Sequence, residues 1–95
     1  FHMMGLYPNA GQDYYLINTP LLHTTTLHLE GGHDFRIVAE GLSEKNRYIQ
    51  SVTLNGQDYP YSTLRHKDLT KGGTLVLKMG KKPSEWGKEM FKPEN

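Results

Sequence analysis

The chain has 95 residues, of which 11 are Lys or Arg and 10 are Asp or Glu, so its formal net charge is +1 at pH 7. That length allows one small domain with a modest hydrophobic core. Its scattered basic residues argue against nucleic-acid binding, which depends on clustered cations that neutralise phosphates. The lack of Cys excludes disulfides and thiolate sites, and no apolar run approaches the ~20 residues that span a bilayer.

The first eight residues are predicted to be the end of a helix. Gly5 suits a left-handed C-terminal cap, and Pro8 cannot continue a helix. A helix that starts at Phe1 without an N-cap would be incomplete, so we expect the chain to be a segment of a longer protein. The expected organisation is a truncated helix over 1–8, a single antiparallel β-rich domain over 9–80 and a polar tail over 81–95.

Alternation of apolar and polar residues predicts six short strands. They are Tyr14–Ile17, Thr24–Leu29, Asp34–Ala39, Tyr48–Leu54, Asp58–Tyr61 and Thr74–Met79. Gly31-Gly32 and Asn55-Gly56 are expected to form hairpin turns, because Gly and Asn tolerate the positive φ angles that such turns require.

The faces of the later strands can also be predicted. Tyr48, Val52 and Leu54 are expected to pack against Leu75 and Leu77, which lie on one face of the last strand.

Helical structure is expected to be short. His66–Lys71 is predicted to form one helical turn that stops at Gly72-Gly73, and the tail from Gly80 onward is expected to be poorly ordered apart from Trp86. No helical pattern of ~10 residues lies between strands, which argues against parallel βαβ units. The sequence therefore predicts an α+β fold dominated by an antiparallel meander of five to six strands; a small all-β sandwich is the alternative.

Three of the five His residues, His23, His28 and His33, recur at equal spacing. The spacing fits neither a helical ligand pair nor strand alternation. We expect them to face solvent at a sheet edge. The alternative is a shared metal site across the Gly31-Gly32 hairpin, which would need three or four convergent ligands.

Paired carboxylates are the signature of a glycosidase, which needs an acid and a base or nucleophile on either side of the scissile bond. Most carboxylates here adjoin turns, where Asp and Glu commonly cap or remain solvated. The candidates are Asp13, Glu30, Asp34, Glu40, Glu44, Asp58 and Asp68. With no phosphate-binding glycine loop and no G-x-S-x-G elbow either, the sequence predicts no catalytic residue in this chain.

Aromatic side chains could form a platform on which a sugar stacks. The rings available are Tyr14, Tyr15, Tyr48, Tyr59, Tyr61 and Trp86. Tyr14 and Tyr15 point to opposite faces of one strand, so they cannot share a platform. Packing in the core or at an interface is the main expectation for these rings. Tyr14, Tyr59 and Trp86 are the candidate substrate-binding residues.

Five short motifs follow one another in a characteristic order. They are Gly5-Leu6-Tyr7-Pro8, Tyr15–Pro20 (YLINTP), Tyr48–Gly56 (YIQSVTLNG), His66–Leu75 (HKDLTKGGTL) and Met79-Gly80. In order and spacing they resemble the C-terminal segment of glycoside hydrolase family 92, and the likeness covers residues 1 to about 86. Each motif alone is weak, but the five in register are specific. His2-Met3-Met4 departs from the small residues common there.

The resemblance implies a calcium-dependent, inverting, exo-acting α-mannosidase that is secreted or periplasmic in bacteria and degrades N-glycans or mannan. It also implies that the family's general-base motif lies shortly upstream of the position of Phe1, with the general acid and the calcium-associated residues further upstream. No catalytic or metal residue therefore transfers to this chain. Calcium is expected only in the full-length enzyme, and the implied partners are the upstream catalytic domain and mannosyl glycans.

Two functions follow from these observations. The first is a C-terminal, non-catalytic segment of an exo-acting α-mannosidase, which packs against the catalytic barrel and is inactive alone. The alternative is a carbohydrate-binding or interaction module with no hydrolase activity.

Overall fold

Eight short strands and one helical turn form the regular structure in this computed structural model, which describes residues 5–8 and 11–93, except for the side chain of Glu30. The elements are β1 (Leu6–Pro8), β2 (Tyr14–Ile17), β3 (Thr24–His28), β4 (Asp34–Glu40), β5 (Tyr48–Leu54), β6 (Gln57–Asp58), β7 (Thr63–Arg65), α1 (His66–Thr70) and β8 (Gly73–Gly80). The β-dominated α+β class is confirmed. Within these residues, no helix is long and apolar enough to cross a membrane.

The strands form two sheets. The smaller has the order β1-β2-β7, and the larger has the order β3-β4-β8-β5-β6. Strand β8 pairs antiparallel with β5 but parallel with β4, where Ile37 lies opposite Leu75 and Ala39 opposite Leu77. The expectation of a purely antiparallel meander is thus wrong in one respect, because the last strand inserts between two earlier ones.

The core lies where both sheets bury their apolar side chains. Strands β4 and β8 contribute three residues each, since their alternation places Phe35, Ile37 and Ala39 of β4 and Leu75, Leu77 and Met79 of β8 on the inner face. The fully or almost fully buried apolar residues are Leu6, Ile17, Phe35, Ile37, Ala39, Val52, Tyr59, Leu64, Leu69, Leu75, Leu77 and Met79. Because this set draws on β1, β2 and β7 as well as on the larger sheet, each sheet covers the other.

A bulge in β5 changes which of its residues reach the core. Val52 pairs with Leu77, and both side chains are fully buried, as predicted. The register then shifts between Ile49 and Ser51, so that Ile49, not Tyr48, lies on the inner face. Tyr48 is 46% exposed, and its predicted packing against the core is wrong for this reason.

The N-terminal segment departs from the predicted helix. Phe1–Met4 lie outside the described residues, but Leu6–Pro8 is a strand that pairs with β2. Gly5 does have the left-handed conformation expected of it, with φ +93°, and it lies immediately before this strand. Pairing with the apolar residues of β2 favours a strand over a helix at residues 6–8, because it buries Leu6 completely.

The described part of the tail forms hydrogen bonds to the sheets and to the loops beside them. Ser84 Oγ donates a hydrogen bond to the Ile49 carbonyl at 2.5 Å, and the Ser62 N–H donates to the Glu89 carbonyl at 2.9 Å. These bonds involve backbone groups at strand ends and in loops. The composition of the tail does not predict that these groups lie within its reach. The tail therefore supplies partners for exposed backbone polar groups, which would otherwise be left to water.

The two turns and the helix are close to prediction. Asn55 and Gly56 both have positive φ, as the hairpin turn demands. The return strand β6 ends at Asp58 and does not reach Tyr61, which forms only an isolated bridge with Glu89. The helix α1 ends at Thr70, one residue before the predicted end.

Gly73→Ala is expected to destabilise the chain by about 1–3 kcal/mol more than Gly56→Ala, because strain and a lost hydrogen bond combine. Gly73 has φ +137°, and an added Cβ would overlap Asn55 Oδ1, which accepts a hydrogen bond from the Thr74 N–H at 2.8 Å. Gly56 has φ +83°, but its added Cβ would meet no atom within 4 Å. Urea denaturation followed by circular dichroism measures the difference; equal losses would contradict a role for the Asn55 contact.

Candidate functional site

Two of the three candidate sugar-binding residues lie together. Trp86 Nε1 donates a hydrogen bond to the Tyr59 carbonyl at 3.0 Å, and the Tyr59 ring meets Tyr61 edge to face at 5.2 Å. Tyr59 is only 4% exposed, so neither face of its ring is open to a sugar. Trp86 is half-buried against the core. The arrangement is that of aromatic packing with the polar atoms satisfied.

The Tyr59 hydroxyl is held inside the protein. It donates a hydrogen bond to the Thr63 carbonyl at 2.6 Å. Burial raises the pKa of Tyr59 to about 12, and the negative charge of Asp68 adds to the shift, against the opposing charge of Arg65. This side chain therefore fixes the segment that leads into β7, and its proton is retained at neutral pH.

Tyr14, the third candidate, belongs to a separate cluster. Its ring contacts Phe91 of the tail edge to face at 4.9 Å, and the Arg65 guanidinium lies 5.3 Å from the Phe91 ring centre. Tyr15, on the opposite face of β2, places its hydroxyl 2.9 Å from His66 Nδ1. The three candidates thus do not share one platform, and sugar binding by Tyr14 or Trp86 stays a prediction.

The equally spaced histidines do not converge. His28 Nδ1 lies 3.0 Å from Asp34 Oδ1 across the β3–β4 pair, and both side chains are largely exposed. His23 and His33 are exposed as well. Over residues 5–8 and 11–93, excluding the Glu30 side chain, no three His, Asp or Glu side chains are grouped as metal ligands would be.

The candidate carboxylates are dispersed over the surface. Asp34 and Asp58 stand at strand ends and are exposed. Asp68 is half-buried on α1, with Lys71 Nζ 3.7 Å from its Oδ1. The remaining exposed members are Asp13, Glu40 and Glu44, while the Glu30 side chain is outside the described set. In a glycosidase one carboxyl group acts as the acid and the other as the base or nucleophile, because each has its own enclosed surroundings. Exposed side chains of this kind lack such surroundings.

A cleft of about 470 Å³ lies between the loop after β2 and the turn after β4. Its residues are Thr19, Pro20, Leu21, His23, Leu42, Ser43, Glu44 and Arg47. Thr19 Oγ1 donates a hydrogen bond to the Arg47 carbonyl at 2.8 Å and so joins the two loops. A second cleft of about 210 Å³ shares Thr19 and extends to Tyr48 and Trp86.

Sequence reasoning missed the larger cleft. Asn18-Thr19-Pro20 and Ser43–Asn46 were each predictable as turns, from their Asn, Pro and Ser residues. That the two turns face each other follows from the order of strands in the folded sheets, which local patterns do not contain. The cleft combines apolar walls with a carboxylate, a guanidinium and an imidazole, and such a mixture is typical of binding surfaces.

Comparisons with known proteins agree on one family. The family model described as the glycosyl hydrolase family 92 catalytic domain matches residues 1–81. A protein of Arthroderma benhamiae named as an uncharacterized secreted glycosidase is 39% identical over 90 residues, which are 92% of this chain and 12% of that protein.

Solved structures of the family are similar as well. The inverting mannosidase BT2199 of Bacteroides thetaiotaomicron is 38% identical with a TM-score of 0.84, over 87% of this chain and 11% of that one. The family 92 glycosyl hydrolase ccman5 is 30% identical with a TM-score of 0.87, over 96% of this chain and 12% of that one. The chain therefore spans only a small part of the relatives that it matches.

The raised pKa of Tyr59 predicts a pH dependence of stability. A tyrosine whose pKa is about 12 in the folded chain and near 10.0 when unfolded stabilises the fold fully below pH 10. That stabilisation is lost as the pH rises toward 12, because the unfolded chain releases the proton first. We expect Tyr59→Phe to remove this part of the decline in the free energy of unfolding, measured by urea titration at several pH values.

The matched control is Tyr48→Phe, since the Tyr48 side chain is 46% exposed. This variant should keep the decline of the parent chain. If both variants declined alike, Tyr59 would not be the group responsible.

Proposed function

The chain belongs to glycosyl hydrolase family 92, and from that membership we propose that it is the C-terminal, non-catalytic segment of an exo-acting α-mannosidase. In this proposal it packs against the catalytic barrel of the same polypeptide and acts on no substrate alone. The whole protein hydrolyses α-mannosides of N-glycans or mannan. Within the family's catalytic domain, the segment has a supporting role.

The dispersal of the carboxylates is the observation that carries the proposal. An inverting glycosidase needs two carboxyl groups on opposite sides of one bond, ~6.5–9.5 Å apart, with room for a water molecule. The cleft at Glu44 and the cleft at Asp58 each contain one of the candidate carboxylates. Such an arrangement supports a segment that leaves the chemistry to the larger part of the protein.

Calcium belongs to the remainder of the enzyme in this proposal. The ion takes six to eight oxygen ligands, commonly several carboxylates on one loop. The part of the chain that the structure describes groups no three acidic or histidine side chains, which supports placing the ion elsewhere in the protein. The proposal assigns calcium no contact with the described residues.

Export from the cell is part of the same proposal. The fungal relative is named as a secreted glycosidase, and polymeric mannans and protein N-glycans are substrates met outside the cytoplasm. We infer a secreted or periplasmic enzyme on these grounds.

The test compares this chain with the full-length protein in hydrolysis of an aryl α-mannoside with calcium present. We expect turnover by the full-length protein and none by the 95-residue chain. In the full-length protein, Asp34→Asn and Asp58→Asn should leave kcat/KM within about twofold, whereas loss of a catalytic carboxyl costs orders of magnitude. Turnover by the isolated chain that survives stringent purification would contradict the proposal, as would a large loss in either variant.

A separate titration addresses the carbohydrate-binding alternative. Mannose and α-mannobiose are added to the isolated chain while the ring signals of its Tyr and Trp residues are followed by NMR. We expect no saturable shift, because Tyr59 is buried and Trp86 Nε1 is already bonded to protein. Saturable shifts at Tyr14 or Trp86 would favour a sugar-binding module over a packing segment.

A further inference from the structure

Two adjacent leucines are exposed on the loop between β2 and β3. Leu21 is 63% exposed and Leu22 is 40% exposed. A single exposed apolar residue is ordinary, but a contiguous pair beside a cleft is typical of a surface that a partner covers.

The cleft next to the leucines has the composition of an interface. Leu21 and Leu42 line it, together with the exposed side chains of Glu44 and Arg47. Apolar residues at the centre with charged residues around them are the usual plan of a protein–protein contact. The second cleft continues this surface from Thr19 to Tyr48, which is also exposed.

Gly5 brings the preceding polypeptide to this surface. Its carbonyl accepts a hydrogen bond from the Asn18 N–H at 2.8 Å, and an added Cβ would lie 2.8 Å from the Asn18 oxygen and 3.1 Å from Pro20 Cβ. The backbone at Gly5 is therefore in contact with the loop that carries Leu21. Any polypeptide joined ahead of Gly5 begins beside the exposed leucines.

The outer face of the larger sheet is a poorer docking surface. Its exposed side chains include Arg36, Glu40 and Lys78; Glu40 lies opposite Lys78 in the pairing of β4 with β8, and Arg36 is on the same face of β4. Charges of this kind are depleted from the centres of interfaces, because they must lose their hydration. The apolar loop and its cleft are thus favoured over the sheet face.

We propose that Leu21, Leu22 and the cleft of Leu42, Glu44 and Arg47 form the seam against which the polypeptide ahead of Gly5 docks in the full-length mannosidase. The inference rests on the proposed function, and it specifies which surface the catalytic part covers. Docking within one polypeptide needs no high intrinsic affinity, because the covalent link supplies a large effective concentration. The occupant presents an apolar centre to the leucines and polar groups to Glu44 and Arg47.

Thiol labelling tests the seam directly, because this chain has no Cys of its own. Leu21→Cys is made in the isolated chain and in the full-length protein, and maleimide labelling of the peptide that carries position 21 is followed by mass spectrometry. We expect the full-length protein to label at least about tenfold more slowly, since alkylation needs an accessible thiolate. Thr26→Cys is the matched control: Thr26 is exposed opposite Arg36 on the outer face of the larger sheet and should label equally fast in both.

Each outcome is decisive. Slow labelling at position 21 with an unchanged rate at position 26 supports the seam. Equal rates at position 21 in an active full-length α-mannosidase overturn the seam and leave the proposed function standing. Absence of α-mannosidase activity in the full-length protein contradicts the proposed function, whatever the labelling rates. Slowing in the isolated chain at rising concentration would overturn the proposed occupant in favour of a second copy of the chain.

Discussion

The fold depends on the central position of β8, the last strand of the chain. It lies between β4 and β5 in the larger sheet, and its inward residues Leu75 and Leu77 have no exposed surface. Both neighbours of β8 come much earlier in the sequence, so the sheet closes only when a distant segment arrives. The chain entropy that is lost when this loop closes makes the pairing slow to form. Burial of the β8 leucines offsets the free-energy cost of that lost entropy.

The parallel pairing of β4 with β8 also explains the second sheet. Parallel neighbours need a crossover, and here the crossover runs through β5, β6, β7 and α1. On the way it passes over the core, where β7 pairs with β2 and fully buries Leu64. The smaller sheet thus covers the core, and one of its strands, β7, belongs to the crossover that connects β4 with β8. The hydroxyl of Tyr59, bonded to the Thr63 carbonyl, fixes the start of that cover.

The sequence predicts local structure well and non-local structure poorly. Tyr14–Ile17 and Tyr48–Leu54 match the structure at both ends, because alternation and flanking turn residues are local signals. The strand order and the bulge near Gln50 depend on which distant strand arrives as a neighbour, and neither has a local signature. The same limit explains the error at Leu6–Pro8, where pairing with β2 overrides a helix-stop motif.

The candidate site residues show the same difference between local features, which the sequence predicts, and non-local contacts, which it does not. Exposure of Asp34 and Asp58 could be predicted, since the turns beside them are local features. Packing of the Tyr59 ring agrees with the main expectation for the aromatic residues, but its contact with Trp86 could not be predicted, because that residue lies 27 positions further along the chain. The contact between Tyr14 and Phe91 arises in the same way.

A small chain with this topology cannot hide all of its apolar surface. Two sheets of three and five strands cover each other, and their shared core takes up the inward residues of β4, β5 and β8. The loop between β2 and β3 lies beyond the end of that core, and so Leu21 and Leu22 face outward. A domain of about this size buries only ~60–65% of its unfolded surface, which leaves little margin for exposed leucines unless a neighbour covers them. In a family whose members are many times longer than this chain, the proposed seam assigns that cover to the polypeptide ahead of Gly5.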